Sequence, residues 1–394
     1  MDFDFSSDNI DFKVMENEMD CGVKIKVIGV GGAGGNMINH IVETCASSLK
    51  VDISNVDIMI ANTDIQDINR SKASIKIQLG PKKTNGRGAG ANPEIGRISA
   101  EEVEDEIRRQ LEGTELLFIA EGLGGGTGTG AGPVIAKIAK SLGILVVSVA
   151  TFPFSYEKAR IKAAEKGLEE LKKESDCVIL IQNDKLKLVV PKNLNTREAN
   201  KYANDVLVNA VTGIIKMLLV EGDTNIDFAD VTSVMSHRGT ALMGMGRAEG
   251  ENSIREAYEN AINSPLLDNY IADLKDAKAM IVFFSYGENV PFFQLVETME
   301  DISNSSSEDV NVFCGHVLDE DLPADAVEVT IIATGFDESR AQKAQIELEN
   351  KKREEEITYK LAQPELQKVS GGTIKVDYKT RDFNEPAFVR NGQD

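Results

Sequence analysis

The run Leu123-Gly-Gly-Gly-Thr-Gly-Thr-Gly130 constrains this chain more than any other feature. Five of the seven positions from 124 to 130 are glycine, and the other two are Thr127 and Thr129. A structural turn needs one or two glycines. A bare strip of amide donors with two hydroxyls is instead a concave nest for a row of anionic oxygens, as in a polyphosphate. Before it lies the apolar run Leu116–Ala120, which reads as a strand, and after it Pro133–Leu142, which reads as a helix opened by Pro133.

A second glycine run, Gly29-Val-Gly31-Gly-Ala-Gly34, follows the alternating apolar segment Val23–Gly29 and precedes a helical pattern from Asn36 to Ser48. By itself GxGxxG fits any dinucleotide-binding enzyme, and it supports an NAD(P) oxidoreductase as the rival reading. Such enzymes lack the second run. No GxxxxGK[ST] and no Asn-Lys-x-Asp motif is present, so neither a P-loop NTPase nor a small G protein fits. The chain has 33 glycines, and 17 of them crowd into the windows 29–35, 80–96 and 122–132, where backbone must approach something closely.

The strands read at 23–29, 56–61, 116–120, 144–150 and 177–181 alternate with helices, which predicts βαβ units and a parallel sheet. The segment 206–220 is apolar on nearly every face and predicts a helix buried between two domains. Beyond it, helices at 252–263 and 292–302 and strands at 280–285, 311–315 and 327–334 make a smaller α+β unit. The Met-rich stretch 241–246 reads as core and turn. The expected organisation is an acidic leader (1–23), a nucleotide-binding α/β domain of Rossmann-like parallel sheet (24–197), a central helix (198–222), a second α+β domain (223–336), a flexible linker (337–380) broken at Gly371-Gly372 and helical in part, and a tail peptide (381–394).

Charge and composition narrow the partners. With 43 Lys and Arg against 64 Asp and Glu, the net charge is −21, which makes nucleic acid a poor partner. No apolar run approaches the length of a membrane span, and the acidic start has no secretory pattern. The four cysteines and three histidines are scattered, which argues against a zinc site and suits a reducing cytoplasm.

Gly124–Gly130 resembles the signature of the tubulin superfamily. Together with Asn62-Thr-Asp64, Gly88-Ala-Gly-Ala-Asn-Pro93, Pro153-Phe154, Asn183-Asp-Lys185 and Asn225-Ile-Asp-Phe-Ala-Asp230, it resembles the FtsZ family of bacterial cell-division GTPases. The match runs from Lys24 to Phe336, and Pro386-Ala-Phe-Val-Arg390 is similar to that family's C-terminal partner-binding peptide. The tail peptide separates the division branch from the tubulin-like filaments of plasmid segregation, which is the other alternative.

The resemblance implies roles. Gly32, Ala33, Gly34, Gly35 and Asn36 would line the phosphates and nucleotide, with Gly124, Gly125, Gly126, Thr127, Gly128 and Thr129. Asn62 and Asp64 would engage nucleotide or its metal at the same edge, and Ala89, Gly90 and Ala91 would lie nearest the γ-phosphate. Glu157 would contact the ribose, Arg160 would be the family arginine, and Asn204 would read the guanine base, although Asn200 stands where a stacking aromatic is expected. Asn225, Asp227 and Asp230 would enter the pocket of the next subunit and polarise the attacking water. The implied cofactors are GTP or GDP and Mg²⁺. The implied partners are further copies in head-to-tail filaments and, through residues 381–390, membrane-tethering and regulatory division proteins, with no direct membrane insertion. The implied place is the cytoplasm, at the midcell division site.

Overall fold

The computed structural model describes residues 23–48, 56–185, 208–209, 211–219, 226–237, 239–264, 267, 277–305, 310–336, 366–369 and 372–375. They fall into two units divided after Phe336. In the first, strands β1 (Ile25–Val30), β2 (Val56–Asn62), β3 (Ile75–Gln78), β4 (Leu116–Gly122), β5 (Leu145–Phe152) and β6 (Cys177–Gln182) pair in parallel in the order β3-β2-β1-β4-β5-β6. The central strands are buried on both faces, as a parallel sheet covered by helices requires.

Those helices are α1 (Gly31–Ser48), α2 (Ile65–Arg70), α3 (Pro93–Glu101), α4 (Glu104–Leu111), α5 (Thr127–Ser141) and α6 (Lys158–Glu174). On one face Met37, Ile38 and Ile41 of α1 pack with Val27, Phe118 and Val147. On the other, Ile107 and Leu111 of α4 and Ile135 and Ala139 of α5 cover Ile28, Leu117 and Ile119. The helical stretch 211–219 buries Val211, Ile214, Ile215 and Met217 in the first of these cores, which continues into Val231, Phe283 and Ile332. The all-round apolar helix is therefore internal, as its sequence predicts.

Two helix starts differ from expectation. α1 opens at Gly31 and not at Asn36, and α5 opens at Thr127, so Pro133 lies inside that helix and not in its first turn. At the start of α5 the backbone is already helical at Gly126, with φ −82 and ψ −57, while Gly31 at the start of α1 has φ 72.

The chain goes on through α7 (Phe228–Met235), β7 (Thr240–Glu249), α8 (Ser253–Ile262), β8 (Ala279–Tyr286), α9 (Phe292–Ser305), β9 (Asn311–Leu318) and β10 (Ala326–Thr334). β10 is antiparallel to β7 and β8, and β8 is parallel to β9. Residues 241–246, read as core and turn, belong to the long strand β7. Parallel pairing of Val178 with Thr240 and Ile179 with Ala241 joins β6 to β7, so all ten strands form one sheet.

In the second unit β11 (Leu366–Val369) and β12 (Gly372–Lys375) pair antiparallel inside the expected linker, with Val369 opposite Gly372, while Gly371 lies outside the described residues. The leader, the predicted linker helix and the tail peptide 381–390 lie outside the described residues. Among the described residues, no helix is long and apolar enough to cross a membrane.

Candidate functional site

In an open parallel sheet, ligands bind beyond the carboxyl ends of the strands where strand order reverses. Here that point lies between β1 and β4, since α1 leaves for one face and α5 for the other. A cleft of about 280 Å³ opens there. The β1–α1 turn supplies Val30, Gly32 and Ala33, and the β4–α5 turn supplies Gly122, Leu123, Gly125, Gly126, Thr127 and Gly128. Beyond β5 and β6, Thr151, Pro153, Glu157, Arg160 and Asn183 complete the wall.

The electrostatics suit an anion. Both α1 and α5 begin at the cleft, and neither carries an acid in its first turn to offset the positive end of its dipole. A Cβ at Gly126 would stand 2.8 Å from both the Ala89 Cβ and the Asn92 nitrogen, so the loop 88–92 lies directly on the nest. That loop holds Ala91 at φ 57, a left-handed conformation unusual for alanine, and Asn92 caps α3 by accepting the Glu94 N–H at 3.0 Å.

Glu157 and Arg160 sit at the mouth as an ion pair of 2.8 Å, and Glu157 also accepts the Phe154 N–H at 3.1 Å. Phe154 stacks on Tyr156 at 5.2 Å beside them. Asn62 is buried, accepts the Asp64 N–H at 3.2 Å and donates to Asp67 at 3.2 Å. Asp64 caps α2 through the Gln66 N–H at 2.8 Å. This pair shapes the edge of the site and does not line the cleft itself.

Of the residues named from sequence, Gly32, Ala33, Gly125, Gly126, Thr127, Gly128, Glu157 and Arg160 meet in the cleft. Gly34 and Gly35 seat α1 on the sheet at Ala120 and Ile60, Asn36 is exposed on α1, and Gly124 packs on Arg160. Thr129 is buried with its methyl against Gly167 of α6. Ala89 is buried behind Gly126, while Gly90 and Ala91 are exposed on the loop. Asn204 and Asn225 lie outside the described residues.

Asp227 is the N-cap of α7, its carboxylate accepting the Asp230 N–H at 2.7 Å. Neither acid is among the described residues that line the cleft, which run from 30 to 183.

Sequence reasoning missed three neighbours of the site: Thr63, whose hydroxyl meets that of Thr127; Asp67, close to Gly32; and Glu121. Glu121 is fully buried one residue before the β4–α5 turn, and neither carboxylate oxygen has a hydrogen-bond partner among the described residues. It fits only because residue 132 is glycine, since any Cβ there would overlap the carboxylate. Burial pushes its pKa up to about 8.

Comparison with known proteins agrees with this geometry. Residues 24–191 match the family model of the Tubulin/FtsZ GTPase domain, and residues 239–337 match that of the FtsZ C-terminal domain. The cell division protein FtsZ of Helicobacter pylori J99 is 44% identical over 315 residues, covering 80% of each chain, and that of strain 26695 matches equally well. An empty FtsZ dimer from M. jannaschii superposes with a TM-score of 0.74 at 37% identity, over 84% of this chain and 93% of that one. With its switch-point cleft, its paired glycine turns and these matches along both halves, the chain belongs to the FtsZ family and carries that family's GTPase domain.

Proposed function

We propose that this protein binds GTP in the β1/β4 cleft and polymerises head to tail into the filaments of bacterial cell division, hydrolysing GTP to GDP at the junctions. One observation carries the location of hydrolysis. Among the described residues lining the cleft the carboxylate is Glu157, engaged by Arg160 and the Phe154 N–H, while Asp227 caps a helix outside that lining and Asp230 lies in its first turn. An acid for the attacking water then comes from a second copy, which makes turnover depend on assembly.

The surface around that acid pair suits a contact between copies. Ile226 lies beside Gly315, and the neighbouring His316 is flanked by Phe292, which is 59% exposed, with Phe293 84% exposed next to it. On the cleft side Tyr156 is 71% exposed. Exposed aromatics of this kind are enriched where proteins meet. A contact between two different faces of one chain does not close on itself and so extends into a filament.

Phosphoryl transfer asks the protein mainly for positioning and charge stabilisation. The amides of Gly125, Gly126 and Thr127 hold the phosphates in line, and the two helix dipoles stabilise their charge. Asp227 and Asp230 of the incoming copy orient and polarise the water, and Asp227 also fixes the α7 turn from which they project. The donor set fits a cation carried by the nucleotide: no group of three His, Cys, Asp or Glu among the described residues could cage a metal, and Mg²⁺ prefers phosphate oxygens and water. When bound, Mg²⁺ supplies charge neutralisation on the phosphates. Asn204 reads guanine, and residues 381–390 dock the membrane-tethering and regulatory division proteins that hold the filament at midcell in the cytoplasm.

The test is a titration of protein with GTP, GDP, ATP and NAD, following light scattering and phosphate release. GTP alone is expected to raise scattering, with turnover per subunit rising above a threshold concentration. Equal competition by ATP for the cleft, or turnover per subunit that is flat with concentration, overturns the reading.

A further inference from the structure

Thr63 follows β2 and is fully buried, and its polar groups reach two different loops. Its carbonyl accepts the Gly88 N–H at 3.1 Å and the Thr84 hydroxyl at 3.3 Å, both from the segment that leads to the loop 88–92. Its hydroxyl meets the Thr127 hydroxyl at 2.7 Å, in the first residue of α5 and in the wall of the cleft. Any residue could supply the carbonyl. Only a small hydroxyl side chain could supply the second bond. A valine would fill the same space with no hydroxyl to desolvate, so the threonine is explained by what it does to Thr127.

We propose that Thr63 is a positioning residue of the phosphate site, fixing the Thr127 hydroxyl and tying the loop 88–92 to the glycine nest. The idea rests on reading the cleft as the GTP site. A threonine hydroxyl carries one proton and accepts through its lone pairs. The buried Thr63 hydroxyl needs an acceptor for its proton, and the Thr127 oxygen is the one at 2.7 Å. With Thr63 donating, the Thr127 proton is free to turn toward a phosphate oxygen in the cleft. Because the same residue holds the Gly88 amide, movement of the loop about a terminal phosphate is passed to that hydroxyl. Thr63 thereby couples the two walls that a triphosphate and a diphosphate would load differently.

The experiment compares Thr63→Val, Thr63→Ser, Thr127→Ala and the double variant Thr63→Val/Thr127→Ala in the full chain. GTP turnover above the assembly threshold, GTP and GDP affinities and melting temperature are measured for each. Thr63→Val is expected to lower turnover about tenfold and to narrow the GTP-to-GDP affinity ratio, with its melting temperature little changed. Thr63→Ser should stay within about twofold of the parent, because the hydroxyl is kept. In the Thr127→Ala background Thr63→Val should change nothing further, since its effect runs through a hydroxyl already gone. A valine variant equal to the parent, a serine variant as poor as valine, or additive losses in the double variant each overturn the proposal. Should the valine variant not fold, Thr63→Ala takes its place in the same comparison. A parent protein that binds no GTP removes the site reading and Thr63 with it. An active parent with an indifferent valine variant removes the role of Thr63 alone.

Discussion

At the residue scale, Glu121 makes the chain's stability depend on pH in an unusual direction. Its register neighbours are Val30 on β1 and Ala150 on β5, and it faces Gly132 of α5. The charged residues of those elements are engaged elsewhere or distant in sequence: Lys26 pairs with Asp57, Lys140 pairs with Asp176, and Lys137 lies further along α5. Burial alone raises its pKa from 4.5 to about 8. The folded state thus holds a proton that the unfolded state releases, and the stabilisation is complete below pH 4.5 and is lost as pH rises to about 8. The slope is about 1.4 kcal/mol per pH unit across that window. Urea midpoints at pH 6 and pH 8 should therefore show Glu121→Gln gaining on the parent at the higher pH; parallel curves would refute the assignment. Gly126→Ser tests the nest directly. Its new side chain meets Ala89 and Asn92, so GTP affinity should fall at least about tenfold in a displacement assay while the far-ultraviolet dichroism is kept. The glycines of the nest were legible because only a close approach explains so many together. Glu121 was not, because an acid after an apolar run reads as the exit of a strand, whereas β4 goes on to Gly122 inside the sheet.

At the element scale, the short helix α7 carries the acids that the neighbouring copy would use, and Asp227 caps it. An asparagine caps as well as an aspartate but carries no charge. Asp227→Asn is therefore expected to melt with the parent and turn over GTP slowly, whereas Asp227→Ala should also lose about 1 kcal/mol of stability. Thermal melts and phosphate release on the two variants separate the cap from the chemistry. Most elements here could be read from pattern, since β1, β4, β5, β8 and the buried helical stretch are long apolar runs with plain boundaries. The strand β7 could not. Gly244 and Gly246 look like turn residues, yet they sit in an extended strand where the α8 backbone at Ala261 and Ala257 leaves no room for a side chain. The start of α5 was hidden for a related reason: glycines chosen for contact with a ligand and with α3 lower helix propensity without ending the helix.

At the scale of the whole molecule, a cleft on one half and acids on the other predict complementation. Thr127→Ala would keep the acids but should handle GTP poorly, and Asp230→Ala should bind GTP but turn it over little. A mixture of the two should recover part of the parent activity, because some junctions pair an intact cleft with an intact acid. Activity equal to the sum of the separate variants would place hydrolysis within one chain. Deleting residues 381–394 should leave turnover and light scattering nearly unchanged while the protein no longer gathers at the division site in cells. The ten-stranded sheet has a mechanical meaning for such an assembly. Among the described residues, β6 and β7 share two residue pairs, against eight between β8 and β9. The stronger tie is the apolar core, in which Val211, Ile214, Ile215 and Met217 are packed among residues of both halves. A ladder of hydrogen bonds resists sliding until it snaps, while buried apolar surface tolerates small shear and keeps its contact. Load passing from the cleft to the acids of α7 would cross this apolar core, so each subunit of a filament is expected to shear within itself as well as at its junctions with its neighbours.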